Sequence, residues 1–388
     1  GHSQGVDASD EYLYVADGPH GVSAWSLLDE QGYPTDDVHL VANTVQDEYP
    51  VTVGDTTVYP ATHAYGVVFD PLSRSAMALC QGVGLRRLPV ADVEDGLAQV
   101  GNPLLIAPQP EDIFEHNGAY GKVHSVPKQD HTYDVALDND LAFVADGGNG
   151  LTIYDLTKDP TDIESGFFVS NLGGATKERP LLGRSTGIAL WRDLPNGKHY
   201  AFLAAGPYGV GVADVTDVAH PELLKTFEPV KLEDGKVGKA DGRCVDVFVM
   251  EPYAYFTYDG FGVLSYRLDD LIEPLPAGVP ATKIWKVQAG VVQYDYRPLT
   301  VGEFRLREEP GYEDLGGGAL NMSHTEVAGE PVLYVAYGVA GVVKLVWTDP
   351  AAPLLDKVLP TVGECSAIAL SNGRLYASDG GGGLIFFK

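Results

Sequence analysis

The chain has 388 residues, with 54 acidic against 26 basic side chains and a net charge of −28. No basic stripe is present to meet phosphates, which excludes nucleic acid and disfavours an anionic membrane surface. No apolar run reaches the roughly 18–20 residues that a spanning helix needs, and three cysteines cannot build a disulfide framework.

A single hairpin recurs along the chain. It reads YVADGPHGVSAWSL at 14–27, ALCQGVGLRRLPV at 78–90, FVADGGNGLTIYDL at 143–156 and FLAAGPYGVGVADV at 202–215. It returns as FTYDGFGVLSYRL at 256–268, YVAYGVAGVVKLVW at 334–347 and YASDGGGGLIFFK at 376–388. The turn glycines are Gly18, Gly82, Gly147, Gly206, Gly260, Gly338 and Gly380, and each supplies the positive φ that a tight reversal needs. The flanking segments are rich in Val, Tyr, Leu, Ile and Phe and lack helical periodicity.

Ahead of each hairpin lies another short apolar run: GVDA, GVVF, DVAL, GIAL, DVFV, HTEV and AIAL. Each copy therefore supplies an inner strand A, then B, the turn, and C. A fourth strand D fits VHLVANTV, GFFVSNL, ELLKTF and TKIWKV. Seven four-stranded sheets in series predict an all-β, seven-bladed β-propeller in a single domain over 1–388. Blades start near 1, 62, 130, 184, 242, 320 and 363. Long connections at 91–130 and 271–319 exceed what a D strand needs, and such loops on a rigid scaffold carry contacts. In the second, VVQYDYRPL and EFRLREEP suggest an extra hairpin.

The pattern resembles the LVIVD-repeat propellers, whose hallmark is a YVADG-type strand, a short loop, and GLVIVDV. FVADGGNGLTIYDLT at 143–157 and FLAAGPYGVGVADVTD at 202–217 match it best. Gln81 and Tyr337 depart from it, standing where Asp is usual. The resemblance implies the propeller fold and no particular chemistry.

Laying the copies in a ring places His2, His63, His131, Arg184, Arg243, Asn321 and Glu364 just ahead of the inner strands. These positions surround one mouth of the central channel. His63, His131, Arg184, Arg243 and Glu364 form the candidate ligand site, and the Arg forks suit a carboxylate. His2, His63 and His131 are the candidate metal ligands. The next column holds Ser3, Ala64, Thr132, Ser185, Cys244, Met322 and Cys365, provided blade six takes an insertion. Cys244, Met322 and Cys365 together would suit a soft ion; packing of small or adaptable side chains near the axis explains them equally. Asp134 and Asp246 occupy equivalent positions, and Asp17, Asp146, Asp259 and Asp379 recur at the hairpins, which points to Asx-type bonds to turn amides.

No cofactor is required by this sequence. A transition metal on the ring is one alternative. Calcium on Asp-rich loops is another, although no D-x-[DN]-x-[DN]-G loop occurs. No nucleophile, phosphate-loop or dinucleotide motif stands out. The expectation is a secreted or periplasmic, non-catalytic scaffold or binding module in an extracellular assembly, with a redox or filament-forming partner. The competing class is a metal-dependent redox enzyme working at the channel mouth. Blade seven is expected to lack its outer strand, leaving Leu384, Ile385, Phe386 and Phe387 as an open edge for a protein partner or a second copy.

Overall fold

The computed structural model describes residues 3–18, 21–43, 51–53, 56–58, 63–81, 84–89, 104–105, 132–158, 166–173, 182, 184–228, 230–233, 236–239, 242–281, 285–288, 291–315, 318–327 and 330–387. Seven antiparallel sheets follow one another along the chain; in six the strands lie in the order A–B–C–D, and in the seventh A–B–C among the described residues. The inner strands are Gly5–Ala8, His63–Asp70, Asp134–Asp138, Gly187–Asp193, Cys244–Met250, Asn321–Val327 and Ala367–Ser371. Helix among the described residues is confined to α1 (Leu268–Ile272) and a 3-10 turn at Leu306–Glu308.

Strand B shows why the sheets stack around an axis. Phe202 and Leu203 are neighbours that point to opposite faces, yet both are wholly buried. Phe202 packs in the cluster shared by blades four and five, with Phe256 and Tyr258. Leu203 packs in the cluster shared by blades three and four, with Phe143 and Ile153. Both faces of a blade are thus interfaces, so its strands read as near-continuous apolar runs.

Three of the expected D strands are present, at Pro34–Asn43, Phe168–Leu172 and Glu222–Phe227. TKIWKV is not one of them. Trp285–Gln288 pairs with Val291–Asp295 in a separate two-stranded sheet, and blade five takes Gly302–Phe304 as its fourth strand. Of the connection at 91–130, only the Leu104–Leu105 strand lies within the described residues. Blade seven has three strands among the described residues, ending with Leu384–Phe387.

The insertion in blade five has a task on its neighbour. Thr226, on the outer strand of blade four, donates its N–H to the Ala281 carbonyl at 2.7 Å. Lys225 beside it is almost wholly buried. Its Nζ donates to the carbonyls of Glu273 at 2.7 Å and Asp270 at 3.4 Å, at the C-terminal end of α1. Burial pulls its pKa down to about 8, against the opposing pull of Glu273 and Asp270. Leu268 and Leu271 anchor the helix in the apolar cluster with Phe227 and Tyr266. The insertion therefore covers an outer edge that would otherwise be open.

Replacing Lys225 with Ala removes the buried side chain that joins this strand to the Glu273 and Asp270 carbonyls. The expected loss is about 1–3 kcal/mol, read as a lower denaturation midpoint. An unchanged midpoint would show that the cover does not depend on this contact.

Candidate functional site at the central channel

The repeated turn glycine has a second role besides its positive φ. Gly18, Gly147, Gly206 and Gly338, with φ between 51° and 56°, each bridge to a residue near the start of the next blade's inner strand. The pairs are Gly18–Ala64, Gly147–Ser185, Gly206–Cys244 and Gly338–Cys365, and Gly380–Ser3 closes the ring. In the first pair the two bonds are 3.1 and 3.0 Å, and in the last open-ring pair 3.1 and 2.9 Å. A Cβ on Gly206 would lie 2.9 Å from the Arg184 carbonyl oxygen. The clasp thus selects glycine on one side and a small buried residue on the other.

That requirement accounts for Cys244 and Cys365. Cys244 and Cys365 are fully buried at clasp positions and pack in different blade interfaces. Burial pushes the Cys365 thiol up to about 12 and the Cys244 thiol further still. Met322 belongs to a third interface. The structure therefore does not gather Cys244, Met322 and Cys365 into one ligand set.

Blade six is offset by three residues from its expected alignment. Leu320 donates its N–H to the Ala336 carbonyl, matching Gln4 to Ala16, Thr186 to Ala204 and Ser366 to Ser378. The clasp column thus holds the buried Ala319 in blade six, not Met322. The mouth position falls on Gly318, where a Cβ would meet the Asp259 carbonyl oxygen at 1.9 Å. Asn321 moves down into the row of Asp134 and Asp246.

That row ties blade to blade. Asp134 Oδ2 accepts the Ile188 N–H at 2.9 Å. Asp246 Oδ2 accepts from Asn321 Nδ2 at 2.9 Å and from the Met322 N–H at 3.2 Å. Asn321 Oδ1 accepts the Ile368 N–H at 3.0 Å. Asp7, two residues further along its strand than the row, accepts the Phe69 N–H at 2.7 Å. Hydroxyls complete the set: Thr186 Oγ1 donates to the Val245 carbonyl at 2.8 Å, and Ser366 Oγ to the Gln4 carbonyl at 3.0 Å. Asp7, Asp134, Asp246, Asn321, Thr186 and Ser366 line a central cavity of about 550 Å³.

Arg184, Arg243, Tyr65 and Tyr133 also line this cavity. Arg184 is exposed, donates through Nη2 to the Tyr133 hydroxyl, and lies over that ring at 5.1 Å from its centroid. Arg243 is committed elsewhere: its Nε and Nη2 both meet Asp259 Oδ2 at 2.8 Å. Glu364 is exposed and lies outside the cavity lining. His2 and His131 fall outside the described residues, and for His63 only the backbone pairing with Gln81 is described. Among the described residues no group of three His, Cys, Asp or Glu side chains is placed to hold a metal ion.

Three of the hairpin aspartates, Asp146, Asp259 and Asp379, make side-chain bonds within their own blades. Asp259 accepts the Arg243 N–H at 2.6 Å, and Asp379 accepts the Gly363 N–H at 2.6 Å, so each ties the turn to the start of its own blade. Asp146 instead accepts from Asn149 Nδ2 and Thr152 Oγ1.

The cavity carboxyls are half-buried by surface area, because their oxygens look into the channel, yet protein surrounds them. Confinement pushes Asp7 up to about 6, with the Phe69 and Ala8 N–H groups pulling the other way. Asp134 and Asp246 are both raised, first by burial, and Asp134 is raised further by the charge of Asp246.

A carboxyl whose folded pKa exceeds its unfolded value binds more protons in the folded state. Its stabilising contribution is present at pH 4 and is lost as the pH rises through about 6 for Asp7. The melting temperature is therefore expected to rise as the pH falls from 8 toward 5. Asp134→Asn should flatten that slope, which separates the channel from the relief of overall charge repulsion. An identical slope in the variant would place the linkage elsewhere.

The sequence pattern of the LVIVD repeat matches residues 1–22 and 130–163. No curated protein matches the sequence. Among solved structures, the WD40 β-propeller domain of Doa1 is similar over 100% of this chain and 94% of its own, with a TM-score of 0.56 and 10% identity. The RRP9 WD40 repeats are similar over 98% of this chain and 87% of theirs, with a TM-score of 0.55 and 11% identity. A computationally designed protein, Ika8, covers 100% of this chain and 96% of its own, with a TM-score of 0.52 and 7% identity. Identities this low speak to fold alone. Together with the clasped hairpins, they establish that the chain is a seven-bladed β-propeller, two stretches of which match the LVIVD repeat.

Proposed function

We infer that this protein is a non-catalytic binding scaffold that works in an assembly with a protein partner or with copies of itself. The observation that carries the reading is the outer strand of blade seven. Leu384–Phe387 pairs with Arg374–Ser378 on one side, and no strand flanks its other side among the described residues. Its side chains continue the flanking cores: Leu384 packs against the cluster that holds Leu13 and Leu27 of blade one, and Ile385 and Phe387 against the cluster that holds Ala336 and Val342 of blade six. Phe386 is 45% exposed. An extended segment laid along this edge would gain main-chain hydrogen bonds and an apolar lane between blades one and six.

The channel supports the non-catalytic half of the reading. Its carboxylates are held by backbone N–H groups of adjoining blades, which suits a rigid frame. A small ligand with a carboxylate belongs at the mouth, where Arg184 offers its guanidinium. The proposed working place is extracellular or periplasmic, which the acidic composition suits through solubility in a salty medium.

Light scattering at micromolar concentration should give a mass above that of the monomer, and Phe386→Lys should shift it toward the monomer by placing a charge on the edge. A monomer at every concentration would refute the assembly. Fractionation of the native source cells should recover the protein outside the cytoplasm; recovery in the cytoplasm would refute export.

A further inference from the structure

The cavity changes character with depth. At the mouth stands Arg184, whose side chain contacts Tyr133 and no carboxylate among the described residues. One row below it the wall includes Leu320 and Val245, and in the row after that stand Asp134 and Asp246, with Val247 and Ile368 past them. Each carboxylate oxygen of Asp134 accepts one backbone N–H, from Val135 and from Ile188. An ionised carboxylate can accept about four hydrogen bonds, so acceptor capacity is left toward the cavity that Asp134 lines.

The bond to Ile188 fixes the depth of this carboxylate. Ile188 follows Arg184 by four residues, on the order of 13 Å of extended chain at about 3.3 Å per residue. The Arg184 side chain can take up part of that span. A ligand that touches both ends is therefore a short chain and not a compact ion, and its middle would lie against apolar wall. The volume of about 550 Å³ is ample for such a molecule.

Resting on the mouth reading above, we propose that the channel binds a small zwitterion: a carboxylate held by Arg184 at the mouth and an ammonium held by Asp134 and Asp246 below, joined by an aliphatic spacer. The charge order follows the walls. A simple anion would satisfy Arg184 and leave the carboxylates facing empty water. A simple cation would lack an anchor at the mouth. An ammonium between Asp134 and Asp246 also relieves the repulsion that raises Asp134.

The test is calorimetric titration of the full chain with three probes: 6-aminohexanoate, hexanoate and hexylamine. The zwitterion is expected to bind at least about tenfold more tightly than either singly charged probe, a difference of about 1.4 kcal/mol. Arg184→Gln, at an exposed position, should weaken 6-aminohexanoate and hexanoate and leave hexylamine unchanged. Asp134→Asn should weaken 6-aminohexanoate and hexylamine and leave hexanoate unchanged. If hexanoate binds as tightly as 6-aminohexanoate and is lost in Arg184→Gln, the zwitterion is overturned and the carboxylate mouth survives. If hexylamine alone binds, or if Arg184→Gln changes nothing, both are overturned. No heat from any probe up to about 10 mM overturns both as well.

Discussion

The clasp between a turn glycine and the start of the next blade is the interaction on which the molecule depends. A sheet packed face to face against its neighbour is held mainly by apolar contact, which is non-directional. The clasp adds two directional backbone bonds at a fixed place, as between Gly147 and Ser185 at 3.1 and 2.9 Å. It sets the height of one blade against the next, and it repeats. The same geometry closes the circle from Gly380 to Ser3. Because the turn approaches the neighbouring backbone so closely, neither side tolerates bulk, and the buried Ala64, Ser185, Cys244 and Cys365 follow from that.

Once the height is fixed, the inner strands have a second problem. Each is an edge strand with N–H and C=O groups aimed at the channel. The side chains that point toward the following blade solve part of it. Asp7, Asp134, Asp246 and Asn321 accept N–H groups there, while Thr186 and Ser366 donate to carbonyls. The period of two along the strand extends the pattern downward: Asp138 meets Arg192, Trp191 Nε1 donates to Glu251 at 2.6 Å, and Ser371 Oγ donates to the Ser9 carbonyl at 2.9 Å. The acidic channel is thus first a product of architecture. Its chemistry, three confined carboxyls with raised pKa values, comes with it.

The ring treats its outer edges unequally. Blade four's outer strand is sealed by the helix and chain that blade five inserts between its third and fourth strands. Blade seven meets blade one through side chains and the single Ser3 clasp: Asn372 Nδ2 donates to the Asp10 carbonyl at 2.9 Å, and Arg374 pairs with Asp36 at 2.9 Å. The ring thus closes at one place without a shared sheet, beside the strand that carries the exposed Phe386. The proposed scaffold role draws on this contrast between a rigid axis and an outer strand that no other strand flanks among the described residues.

The sequence by itself determined the blade count, the strand order and the small-residue column, because hairpin glycines and apolar runs are local signals repeated seven times. It also exposed Asp134 and Asp246 as equivalents and placed Arg184 at the mouth. It misaligned blade six by three residues, since HTEV sits three residues further along its inner strand than the matching runs of the other blades and only the Leu320–Ala336 bond sets the register. It took TKIWKV for an outer strand, because a β-rich segment looks the same whether it pairs with its own blade or with a neighbouring hairpin. What only the tertiary structure decided was the use of each polar group. Arg243 is bound by Asp259 and Arg184 is not; Asp7, Tyr65 and Tyr133 face the cavity beside them. The Arg243 pairing spans 16 residues within one blade, while the ties along the channel join blades some 50 residues apart or more, as from Asp134 to Ile188, and sequence periodicity carries no information about which polar groups meet.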